Sequence, residues 1–385
     1  MDGTFTLFLC GDVMTGRGID QILTRPSPPA IHEPYVRDAR DYVGLAERVS
    51  GPIPRPVAPA YIWGDALEEL ERVAPDARIA NLEVSVTGTD EYWKGKGINY
   101  RMHPANVACL TAAGIDVCTL ANNHVLDYGY PGLAETLDTL AAAGVKTAGA
   151  GRTRAEAQRA AIVDRPGGGR VIVVSLGSET SGIPSDWAAT DERPGVELLD
   201  DLSDATAGEI VARVRRVKRA GDVVVASIHW GGNWGYEVPL AHVRFAHRLV
   251  EGGVDLVHGH SSHHPRPIEV YRNRLVLYGC GDFIDDYEGI TGHEPFRDDL
   301  VLMYFATVAT GTGELAGLRM TPMRIQRMRL RHALPAEAEW LRATVARISA
   351  AYGSRVEMAA DGRLVLRWQT GGSPAGPRPA DDGAP

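Results

Sequence analysis

Leu120-Ala121-Asn122-Asn123-His124-Val125-Leu126-Asp127 follows an apolar, β-rich run that begins at Ile115, and it precedes a helical pattern. It therefore reads as the loop at a strand's C-terminal end, where the ligands of α/β sheets gather. Two amides, a histidine and a carboxylate placed there offer oxygen ligands, an imidazole and a partner for that imidazole. A plain turn has a similar composition, because Asn and Asp bond their own backbone in turns. Other polar clusters, each at the end of an apolar run, weigh against the plain turn.

Upstream, the strand pattern Phe5 to Leu9 delivers Gly11-Asp12, and Arg78 to Leu82 ends in Asn81-Leu82-Glu83. Downstream, Val223 to Ile228 delivers His229-Trp230-Gly231, and Val254 to Val257 delivers His258-Gly259-His260, with His263 and His264 just beyond. Leu275 to Tyr278 leads to Gly281-Asp282. Strands alternating with helices predict an α/β sandwich, with every cluster on one edge of its sheets. Asp12, Glu83, Asn123, His229 and His260 then supply oxygen and nitrogen ligands without sulfur. Such a set suits a divalent metal: Mn, Fe or Zn by its imidazoles, Ca or Mg by its carboxylates and amide. His263 reads as a histidine orienting another ligand or moving protons, and His264 as a surface residue beside Pro265.

The net charge of −9 opposes a general nucleic-acid binder. Within it, Lys94 to Arg101 is a positive island holding two of the four lysines, and it reads either as a solvated hairpin tip or as a carboxylate clamp. Residues 24–64 are Pro-rich and lose periodicity, the pattern of an insertion or lid within a domain spanning 1–330. A C-terminal helix-and-strand extension is expected over 331–369, and the Gly/Pro/Ala-rich stretch 370–385 reads as disordered. Cys10, Cys109, Cys118 and Cys280 lie in or beside apolar runs without CxxC spacing, as buried free thiols do. No signal peptide or membrane span is visible, so a cytoplasmic protein without membrane partners is expected.

The ordered set Gly-Asp, Asn-Leu-Glu, Asn-Asn-His, His-Trp-Gly, Gly-His with a further His, and Gly-Asp-Phe spans roughly residues 4–325. It resembles the capsule-synthesis CapA family of calcineurin-like metallophosphoesterases. The resemblance implies a four-layer αββα sandwich, two mixed sheets flanked by helices. It puts Asp12 at the first-strand Asp, Glu83 at the bridging Asp, Asn123 and His124 at the Asn-His pair, and His229, His260 and His263 at the later histidines. Met14 stands where a phosphoesterase has His, and Glu83 replaces an Asp. Both departures favour one metal over a two-metal hydrolytic centre.

Capsule-type relatives are membrane-anchored and act on poly-γ-glutamate. With no anchor visible, the expectation here is the family's soluble lasso-peptide epimerase branch, which inverts a Cα centre of a ribosomally made precursor peptide. That chemistry needs a base and an acid on opposite faces. His124 with Asp127 or Asp12 forms one pair, and His263 with Asp282 the other. Lys94, Lys96 and Arg101 would hold the peptide carboxylate, with Trp230 and Trp234 against its side chain. The alternatives are a metallo-hydrolase of phosphoesters or poly-γ-glutamate amides, and a non-catalytic binder of an anionic polymer.

Overall fold

Strand Thr4–Val13 lies inside the larger of the two main sheets, between Ala77–Leu82, parallel to it, and Leu300–Ala309, antiparallel. The computed structural model describes residues 3–165 and 168–369, so the expected tail at 370–385 lies outside the described residues. Among the described residues the larger sheet has ten strands and the second has six, and the fold is mixed α/β. The second sheet runs Ile268–Tyr271, Arg274–Leu277, Leu256–His260, Val223–His229, Arg170–Gly177, Ala161–Asp164.

Successive strand residues face opposite sides of a sheet. Phe5, Leu7 and Leu9 accordingly share one core with Val171, Val173, Val223 and Val225, which puts the sheets face to face. Phe8 and Cys10 point the other way, into a core with Leu70, Leu110, Leu133 and Leu137 of the helices. On the far side of the second sheet, Ile172, Val224 and Ile228 meet Ile210 and Val214 of helix Asp204–Val217 and Phe245 and Leu249 of helix Leu240–Gly252. Both sheets are covered on both faces, which explains strands written as continuous apolar runs.

An irregularity between Cys10 and Asp12 breaks this alternation. Without it Asp12 would follow Phe8 and Cys10 toward the helices; a bulge of this kind re-aims a side chain. Asp12 instead meets Ser261 of the second sheet's loop. Only glycine fits before it, because a Cβ on Gly11 would lie 1.6 Å from the Gly281 carbonyl oxygen.

Residues 24–64 differ from the expected aperiodic insertion. They contain helix Arg40–Ser50, whose Tyr42, Val43 and Ala46 enter the core beside Ile31, Ile53, Val57, Ile62 and Trp63. Short anchors spaced among prolines hid that helix from a periodicity reading. At the other end, helix Pro335–Ser349 is followed by two strands, Ser354–Met358 and Leu364–Trp368, the second paired with Leu315–Ile325 at the edge of the larger sheet.

That edge is tied down by Glu69, which accepts hydrogen bonds from Arg363, Arg72 and Thr321. Burial raises the Glu69 carboxyl, but the three donors outweigh it and bring it down to about 2 from 4.5. A depressed carboxyl contributes stability that is fully present above about pH 4.5 and is lost as the pH falls through 2. Glu69→Gln is expected to cost about 2 kcal/mol at pH 7 and much less at pH 2. Urea unfolding at both pH values checks this; equal costs would contradict it.

Candidate metal centre

Asp12 ends its strand in register with both Asn81 and Asp282, while His229 and His260 are register partners in the second sheet. The sheets' facing edges thus bring Asp12, His229 and His260 together, with one ligand atom from each within 4.8 Å of the others. All three are buried. His229 Nε2 bonds Asn123 Oδ1 at 2.9 Å, and His260 Nε2 bonds Ser227 Oγ at 2.8 Å. Their Nδ1 atoms therefore face each other at 2.8 Å beside Asp12. Burial, then the Asp282 carboxylate, push Asp12 up to about 7 against the Asn81 hydrogen bond. Burial also raises Glu83, with Asp12 and Asp282 adding to it. One carboxylate and two imidazoles converge among further buried carboxylates. That donor set fits a divalent cation of the Mn, Fe or Zn kind.

The other expected ligands stand close by. Glu83 Oε1 lies 3.9 Å from His229 Nε2 and 3.7 Å from His124 Nε2, outside the tight group of three. Asn122 fulfils the turn-capping reading: its Oδ1 accepts from the His124 and Val125 backbone, and its Nδ2 donates to Asn81 Oδ1 and the Leu82 carbonyl. Asn122 thereby fastens the loop to the neighbouring strand and leaves Asn123 directed at His229.

Two buried histidine–carboxylate pairs border the group. His124 Nδ1 meets Asp127 Oδ2 at 2.5 Å, and His263 Nδ1 meets Asp282 Oδ1 at 2.9 Å. Burial pushes His124 down to about 4 despite Asp127, and His263 down to about 4 despite Asp12. Tyr100 and Tyr287, joined through their hydroxyls at 2.9 Å, run from the His124 ring to the His263 ring.

Several assigned residues take other roles. Lys96 turns inward onto Asp127, the Asn123 carbonyl and His124, 2.9 Å from its Nδ1, so it supports the loop from within the protein. Lys94 is exposed in an outer groove with Tyr92, Trp93 and Tyr130. Arg101 is buried; it bonds the Thr89 carbonyl and Asp90 and lies over the Tyr128 ring, which leaves no donor fork for a substrate carboxylate. Trp230 follows His229, so alternation turns it to the helix side, where it stacks on His242 and donates to the Tyr278 carbonyl. Trp234 does border the site, 5.1 Å from the His263 ring. His264 is 0% exposed, not a surface residue, and stacks on Phe296.

The sequence reading missed Arg17. Its guanidinium is buried, paired with Asp286 through Nε at 3.1 Å and with Glu33 through Nη1 at 2.9 Å, and it lies over the Tyr42 and Tyr100 rings. Its partners are 16 and 269 residues away, so no local motif could announce the cluster.

Residues 6–287 match the family described as bacterial capsule synthesis protein PGA_cap. The chain belongs to this family. It is 50% identical over 360 residues, 93% of this chain and 95% of the relative, to a probable polyglutamine synthesis accessory protein of Mycobacterium tuberculosis. It is 29% identical to the PGA biosynthesis protein CapA of Bacillus subtilis, over 66% of this chain and 62% of that one. To the capsule biosynthesis protein CapA of Bacillus anthracis it is 26% identical, over 83% and 67%. These relatives overturn the expectation of a lasso-peptide epimerase: their names concern polyglutamine, PGA and capsule synthesis, and none concerns a ribosomal precursor peptide. The epimerase expectation rests on Met14 in place of a histidine, on the absence of a visible anchor and on the family resemblance together. Among the described residues no helix is long and apolar enough to cross a membrane.

Proposed function

We propose that this PGA_cap member is a divalent-metal-dependent enzyme that hydrolyses amide linkages of a poly-γ-glutamyl chain, on a scaffold of calcineurin-like type. The observation that carries the proposal is the pairing of two buried His–Asp dyads with the group Asp12, His229 and His260. The relatives' names supply the polymer. Asp12, His229 and His260 would hold the cation, whose chemistry there would be Lewis-acid polarisation of a carbonyl.

The chain's own residues handle the protons. Asp282 holds His263 by Nδ1, so Nε2 is the nitrogen left to take a proton from the attacking water. The proton taken up by His263 Nε2 then passes to the departing amine, while Asp127 and Lys96 meet His124 Nδ1 and keep His124 Nε2 turned toward Glu83 Oε1, 3.7 Å away. Trp234 and Tyr287 flank His263 and exclude bulk water from its ring.

Incubating the protein with poly-γ-glutamate and Mn2+ tests this, with chain length read by size exclusion and new amine ends by labelling. Shortened chains are expected, stopping with EDTA and resuming when Mn2+ is restored. Polymer that is retained by the protein but never shortened would overturn hydrolysis and favour a binding role.

A further inference from the structure

Behind the candidate centre runs a buried chain of hydrogen bonds in which the acceptor at one end fixes every proton after it. The Cys10 carbonyl, 2.8 Å from His258 Nε2, can only accept, so His258 carries its proton on Nε2. Its Nδ1 is then bare and takes the Ser227 hydroxyl proton across 3.1 Å. Having given that proton away, Ser227 Oγ accepts from His260 Nε2 at 2.8 Å. His260 Nδ1, beside His229 Nδ1 and Asp12, is left with its lone pair. His258, Ser227 and His260 are each fully buried, so water cannot substitute for a missing link. Ser227 Oγ also stands as donor 3.2 Å from Thr119 Oγ1, which in turn donates to Asn81 Oδ1 at 3.3 Å; whether its proton goes to His258 or to Thr119, the Ser227 lone pairs are left for the His260 Nε2–H.

We propose that His258 and Ser227 are positioning residues that lock His260 in its Nε2–H tautomer and so present Nδ1 to the cation. The inference rests on the cation reading of Asp12, His229 and His260, and its test separates the two. Long-range 15N–1H spectra of the metal-free, histidine-labelled protein read the tautomer directly, with His260→Asn assigning the signal. An Nε2–H state is expected for His260; an Nδ1–H state would overturn the proposal.

Calorimetric titration with Mn2+ then follows the consequence. Ser227→Ala, which removes only the hydroxyl, is expected to weaken Mn2+ binding about 10–100-fold in a chain that still folds, with a melting point lowered by a few degrees. His258→Gln, which keeps a donor for the Cys10 carbonyl and an acceptor for Ser227, is expected to bind more tightly than His258→Leu. Equal affinity of Ser227→Ala and the native chain would overturn the proposal. A native chain that binds no Mn2+ while showing the Nε2–H tautomer would sustain the relay and overturn the cation reading instead.

Discussion

His263→Ala is expected to lower poly-γ-glutamate hydrolysis by about 10²–10⁴-fold while leaving Mn2+ affinity nearly unchanged. The two effects separate because His263 lies outside the tight group of Asp12, His229 and His260, and Asp282 occupies its Nδ1. Asp282→Asn should reproduce much of the loss, since an amide there can donate to Nδ1 and favour the wrong tautomer. Both variants should fold, because the histidine side chain borders the site and the Asp→Asn change is isosteric. Parallel loss of Mn2+ binding and turnover in His263→Ala would instead make His263 a ligand. Unchanged turnover in both variants would remove the dyad from the mechanism.

The largest stability effect is expected at Asp286. Asp286→Ala should destabilise the protein by about 3–5 kcal/mol. It removes both oxygens that meet Arg17 and also strips the Gly18 backbone N–H of its acceptor at 2.8 Å. The guanidinium would stay buried among Tyr42, Tyr100 and Tyr287 with only Glu33 for charge. Urea midpoints measure the cost. The double variant Arg17→Met with Asp286→Leu should lose less than the two single changes summed, because the charges leave together. A loss below about 1 kcal/mol in Asp286→Ala, the scale of a surface pair, would show that the cluster is solvated and not the buried pin described here.

The cluster also bears on function. Arg17 holds Tyr42 and Glu33 of the 24–64 segment against Tyr100 and Tyr287, which touch the His124 and His263 rings. A stretch that reads as a loose insertion is thereby part of the wall that positions both dyads.

The sequence by itself determined the chemistry at the strand ends. Asp12, His229 and His260 each follow an apolar run whose period and length mark a covered strand, and covered strands of an α/β sheet deliver their C-terminal ends to one edge. His124 with Asp127 was legible because the partners are three residues apart, and His263 with Asp282 because both stand at such strand ends. What only the tertiary structure decided is where each side chain points and what lies behind it. Alternation is reset by the irregularity at Cys10 and Asp12, so the face of Asp12 could not be counted from the strand's start. The same period of two sends Trp230 to the helices although it adjoins His229. The roles of Lys96, Arg101 and Arg17 followed from partners up to 269 residues distant. A buried charge takes its role from whichever opposite charge or carbonyl the fold places beside it, and that choice belongs to packing between segments, not to any one of them.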